Sequence, residues 1–213
     1  MNISVDEKNI KEFVNDSISS ITLGKRNIEN DRYHHNCSYS DAPSIVKNGI
    51  LSLYDINRLG IKKFSADFLK YVSDIESHIN GSDAISLAVV GLTDLYPDED
   101  EYNPFNPELV DFVLSDEIKA SRSTINYGNE FLSFKPIFID KFKAIDIRLR
   151  DYLKKTNDYK RVIAMYEDLR RIAIAMKDAN LDIPLREMSD GNCCIDIDKA
   201  INMPKILIKK NQI

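Results

Sequence analysis

The chain has no tryptophan, only seven glycines and seven prolines among 213 residues, and just three cysteines and three histidines. So little Gly and Pro excludes a linker-rich or low-complexity chain, in which the two together exceed about a quarter of all residues. No segment approaches the ~18 to 20 continuous apolar residues of a membrane-spanning helix. The N-terminal stretch MNISVDEKNIKEF mixes charges and has no basic region followed by an apolar one, so no ordinary secretion signal is expected. The cysteines are Cys37 and the adjacent pair Cys193 and Cys194. Their odd number fits a reducing compartment, and the lack of any CxxC argues against structural zinc. A cytoplasmic location is expected.

What is present suffices for a folded unit. The chain is 43% hydrophobic and 30% charged, enough for a real core under a well-solvated surface. No repeat or linker divides it, so residues 1–213 are read as one domain. The net charge of −5 is unevenly spread. Residues 1–140 carry 13 basic and 23 acidic groups, and residues 141–213 carry 16 basic and 11 acidic ones. A basic C-terminal third can meet an acidic partner or nucleic acid, but an ordinary solvated face balancing the acidic part is the favoured reading.

Periodicity places the elements. Val5, Ile10, Phe13, Val14 and Ile18 predict a helix over 5–20. RYHHNCS reads as a strand that turns into a helix, with Ser40 or Asp41 as N-cap, Pro43 in the first turn and Asn48–Gly49 at the end. A short strand over Ile50–Leu53 and an amphipathic helix over 65–79 follow. Residues 83–92, the most apolar run, predict a central strand, and 96–108 an acidic loop. Strands are expected over 108–115, 129–139 and 142–149, with a turn at 116–123 between the first two. Val162, Tyr166, Leu169, Ala173 and Met176 mark a helix over 158–179, whose stripe is read as core. CCIDI and KILIKK return to strand character. Strands do not alternate cleanly with helices, which favours α+β, and the absence of GxGxxG and GxxxxGK[ST] excludes a Rossmann or P-loop reading.

Among residues that carry chemistry, Tyr33-His34-His35-Asn36-Cys37-Ser38 stands out. Successive strand residues point to opposite faces, so His34 and His35 cannot share one metal, and His78 is the only other histidine. No metal site is expected. Asp98, Asp100 and Asn103 lack the Gly and terminal Glu of a calcium loop. Cys193 and Cys194 have no neighbouring base to activate a thiol. Glu130 opens an apolar strand after Asn126-Tyr127-Gly128-Asn129.

The stretch HHNCSYSDAPSIVKNGILS resembles the opening of ADP-ribosyltransferase-like proteins: a strand histidine, a small polar residue two places on, and a helix whose Ile lies ten residues after the histidine. His35, Cys37 and Ile45 fit that spacing, with Gly49-Ile50-Leu51-Ser52 in step; Cys37 stands where Thr or Ser is usual. The Glu130 strand is similar to the catalytic-glutamate strand of the same superfamily. The resemblance covers about 32–149 and implies split mixed β-sheets with flanking helices; the helix over 5–20 and the C-terminal helix-and-strand extension over 150–213 lie outside it. It further implies an NAD-consuming transferase in which His35 bonds a ribose hydroxyl or the nicotinamide end, and Glu130 stabilises an oxocarbenium-like transition state. Ser86, Tyr54 or Tyr71 would meet the nicotinamide, Arg122 the phosphates, and Tyr127 would flank the cofactor pocket. The acceptor is a protein side chain or a nucleic-acid base. RNA 2′-phosphotransfer and plain NAD hydrolysis are sibling readings. A non-enzymatic binding or inhibitor protein using the acidic 94–117 face is the rival from another class.

Overall fold

The computed structural model describes residues 2–25, 33–65, 85–89, 106–122, 130–189 and 191–209. The strands are β1 (Asn2–Val5), β2 (Thr22–Lys25), β3 (Tyr33–Ser38), β4 (Ile85–Val89), β5 (Leu109–Leu114), β6 (Ser121–Arg122), β7 (Glu130–Ser133), β8 (Phe142–Ile147), β9 (Leu185–Glu187), β10 (Cys193–Ile195) and β11 (Lys205–Ile208). The helices are α1 (Ile10–Ile21), α2 (Ala42–Asn48), α3 (Leu53–Arg58), α4 (Leu149–Lys155), α5 (Tyr159–Asp178) and α6 (Ile197–Ile201). The fold is α+β, as the sequence predicts.

Among the described residues one sheet runs in the order β2-β10-β9-β8-β5-β3-β4-β7-β6. Its neighbours are antiparallel except β8 and β9, which run parallel, so the sheet is mixed. One face is apolar. His35 pairs with Phe112, Phe112 with Ile145 and Ile145 with Leu185, and the last three are fully buried. They share a continuous core with Ile10, Val14 and Ile18 of α1, Val46 of α2 and the stripe of α5. That stripe behaves as its spacing predicts: Val162, Tyr166, Leu169, Ala173 and Met176 are all buried. Asp158 caps the helix by accepting from the Arg161 N–H at 3.0 Å. Burying each large apolar side chain contributes about 1.5–3 kcal/mol, so this face supplies most of the stabilisation.

Several boundaries depart from the sequence reading. Residues 2–5 form no helix; β1 pairs in parallel with β11, Asn2 opposite Lys205 and Val5 opposite Ile208. A partner 200 residues away decides that segment, and helical periodicity holds only from Ile10. Ile50–Leu53 is not a strand. Ile50 alone exchanges backbone hydrogen bonds with Ile137, at 2.8 and 3.0 Å, and Leu53 begins α3, capped by Ser52 accepting from the Asp55 N–H. The strand expected over 129–139 stops at Ser133, and that over 142–149 stops at Ile147, because Leu149 starts α4. α2 follows the prediction more closely. Asp41 stands at its N-cap position but bonds the Ser38 hydroxyl rather than the helix backbone, Pro43 lies in its first turn, and Gly49 ends it at φ +81°. The helix expected over 65–79 and nearly all of the acidic 96–108 loop lie outside the described residues.

Candidate functional site

Three strands that are far apart in sequence are consecutive neighbours in the sheet. β4 lies between β3 and β7, so the segments bearing the histidine pair, Ser86 and Glu130 stand side by side. The pairing fixes more than adjacency. His34 is opposite Ala88, and Ala88 is opposite Glu130. One cross-strand row therefore holds the His34 and Glu130 positions, two strands and about 9–10 Å apart. His35 falls in the alternate, apolar row with Phe112. Counting residues along the chain selects His35; cross-strand register aligns the glutamate with His34.

Beyond His34 the same face carries a polar row with no counterpart on the helix side. Asn36 pairs with Asp111, Asp111 with Asp146, and Asp146 with Arg186. His34 Nδ1 lies 2.6 Å from Asp111 Oδ2, so with the proton on Nδ1 the ring donates to the carboxylate. Arg186 donates from Nε and Nη2 to the two Asp146 oxygens, both at 2.7 Å, in a bidentate fork. Arg186 is 2% exposed, Asp146 7%, Asp111 9% and His34 6%, so four ionisable side chains share a buried site. Burial pushes Asp146 up to about 6 against the pull of Arg186; Asp111 adds to the rise and His34 opposes it. Asp111 Oδ1 is buried and has no hydrogen-bond partner among the described residues.

The surroundings of the cysteine beside the histidines favour the protonated thiol over the thiolate. Burial first, then the charges of Asp41 and Asp111, hold the Cys37 thiol far above its usual range, and Sγ donates to the Ser38 carbonyl at 3.3 Å. Cys193 and Cys194 are half-buried on β10 and form no disulfide among the described residues. Among the described residues no group of three or more His, Cys, Asp or Glu could hold a metal ion.

Of the other sequence candidates, only Ser86 lies on this trio of strands. Ser86 is on β4 opposite Leu132, and Arg122 is on the short edge strand β6 opposite Phe131. Tyr54 is on α3 and 55% exposed. Tyr71 and Tyr127 lie outside the described residues. Asp111, Asp146 and Arg186 escaped the sequence reading. For the two aspartates the signal is in the sequence: each is a charged residue inside a short apolar run, LVDFVL and AIDI, whereas Arg186 in PLRE stands beside another charge and carries no such signal. A charge in such a run is buried only when paired.

Elsewhere the polar groups serve the fold. Glu187, fully buried, accepts from the Leu149 N–H at 3.1 Å and from the Ser189 N–H at 2.9 Å, closing the start of α4. The basic C-terminal third is partly neutralised at its surface: Lys177 pairs with Asp198, Lys154 with Asp151 and Lys199 with Asp196. No helix among the described residues is long and apolar enough to cross a membrane. The chain matches no protein-family model, no curated protein and no solved structure.

Proposed function

We propose that the chain is an NAD-dependent ADP-ribosyltransferase acting on a macromolecular acceptor, a protein side chain or a nucleic-acid base. The observation that carries the reading is the adjacency of β3, β4 and β7, which brings the histidine pair, Ser86 and Glu130 onto three consecutive strands from segments more than about 40 residues apart. A ribose lying across β4 would have the histidine strand on one side and the glutamate strand on the other.

The chemistry is the breaking of the bond between ribose C1′ and the nicotinamide nitrogen. The bonding pair leaves with nicotinamide, which turns from a pyridinium cation into a neutral base. The ribosyl group becomes oxocarbenium-like, and the acceptor's lone pair forms the new bond to C1′ as the acceptor loses a proton. A carboxylate at Glu130 stabilises the cation as it develops, where fixed charge contributes most. Histidine and Ser86 would orient the ribose and the nicotinamide amide.

The test is to incubate the protein with NAD labelled in its adenylate half together with cell extract, beside Glu130→Gln. Nicotinamide release and label transfer are expected from the wild type, and a loss of roughly 10²–10³-fold from the variant. Free labelled ADP-ribose without a labelled macromolecule would make water the acceptor and the protein a hydrolase. No nicotinamide from the wild type would sink the proposal.

A further inference from the structure

We infer that His34, not His35, is the histidine that works with Glu130, and that Asp111, Asp146 and Arg186 are positioning residues that hold its ring. The inference rests on the NAD reading and assigns the residues of that same site.

Three observations carry it. The first is register: His34, Ala88 and Glu130 share one cross-strand row, whereas His35 belongs to the row of Phe112, Ile145 and Leu185. The second is the Asp111 carboxylate, 2.6 Å from His34 Nδ1. A carboxylate there fixes both the ring's orientation and the nitrogen that bears the proton, so Nε2, the atom facing away from Asp111, accepts from a ribose hydroxyl. The third is what stands behind Asp111. Two neighbouring buried carboxylates repel each other, and the Arg186 fork takes up the charge of Asp146 at 2.7 Å, so that Asp111 is left to serve His34. A helix-packed core needs no such row. Asp111 Oδ1 is buried and has no hydrogen-bond partner among the described residues, the kind of orphaned acceptor that calls for an explanation beyond packing.

The chain has three histidines, His34, His35 and His78, so the imidazoles of ¹⁵N-labelled protein can be assigned by single His→Gln changes. Three results are expected from the wild type and its variants. The neutral His34 ring carries its proton on Nδ1, and NAD shifts the His34 Nε2 resonance while leaving His35 in place. In nicotinamide release, His34→Gln lowers kcat about 100-fold per folded molecule, and His35→Gln changes it by less than about threefold. Asp111→Asn erases the Nδ1–H signature and lowers kcat about tenfold with little change in KM, a split that loss of folded protein alone would not produce. If His34→Gln folds poorly, the wild-type spectrum still decides. An active wild type whose His35 responds to NAD while His34 does not, or a fully active His34→Gln, overturns this assignment and leaves the NAD reading standing. A wild type that releases no nicotinamide and shows no shift overturns both.

Discussion

His34 and Asp111 reach each other diagonally across β3 and β5: His34 sits opposite Val113, Asp111 opposite Asn36, and their side chains meet at 2.6 Å. A direct cross-strand pair would have joined Asn36 to Asp111. The diagonal contact instead links the cross-strand row that runs to Glu130 with the row that runs to Arg186. His34, Asp111, Asp146 and Arg186 thereby form one buried polar system spanning β3, β5, β8 and β9.

That system makes Arg186 costly to remove alone. Arg186→Met leaves Asp146 ionised or forced to protonate in a buried site, and is expected to destabilise by about 3–5 kcal/mol. Arg186→Met combined with Asp146→Leu removes both charges and should recover most of that loss. Urea denaturation of the two single variants and the double variant measures it. A double variant as unstable as the sum of the singles would show that the two residues do not act as a pair.

The same cluster sets a pH dependence. Asp146 is raised from 3.8 to about 6, chiefly by burial. Between these values the folded protein holds a proton that the unfolded chain has released. The stabilising contribution is complete below about pH 4 and is lost as the pH rises through about 6, on the order of 2–3 kcal/mol. Glu187, also raised by burial, acts in the same direction. Asp146→Asn lowers stability at every pH because Arg186 loses its fork, but it should flatten the slope between pH 4 and 7. Denaturation midpoints taken across that range supply the comparison, and the slope, not the level, decides it.

How much of this was legible depended on the range of the forces involved. The α5 stripe and α2, with Pro43 at its start and Gly49 at its end, are set by local spacing and turn chemistry, and both could be read from the sequence. β1 could not, because its partner is β11 at the far end of the chain. β9, with only three residues, is too short to show a period. The site divides in the same way. The segments carrying His34, His35, Ser86 and Glu130 were singled out by a family resemblance, but which histidine aligns with Glu130 depends on the pairing of β3, β4 and β7. A shift of one residue in that pairing would exchange the faces.

Glu187 offers a test of the boundary that periodicity missed, the start of α4. Its buried carboxylate accepts from the N–H of Leu149 and from both the N–H and hydroxyl of Ser189. Negative charge there also complements the positive end of the helix. Glu187→Ala leaves these donors without their acceptor and should cost roughly 2–4 kcal/mol. Hydrogen exchange should show the loss first at Leu149 and Ser189. Unchanged protection at those two amides would mean that the carboxylate does not hold the helix start.

Gly49 ties the histidine helix–turn to the chain that leaves the glutamate strand. At φ +81° it occupies the left-handed region, and an added Cβ would stand 2.6 Å from the Ile137 carbonyl oxygen. That oxygen accepts from the Ile50 N–H, in the bridge that joins the end of α2 to the segment following β7. Alanine there meets two costs, an unfavourable backbone conformation of about 1–3 kcal/mol and a clash with main chain that cannot rotate away. Gly49→Ala should therefore break the Ile50–Ile137 bridge rather than merely strain it. The expected readouts are loss of amide protection at Ile50 and Ile137 and, on the NAD activity proposed above, a fall in nicotinamide release with the buried His34–Asp111 signature intact. Since β3 and β7 would keep their places beside β4 but lose this second tie, a Gly49→Ala protein with full activity would show that the bridge plays no part in holding the two strands in register.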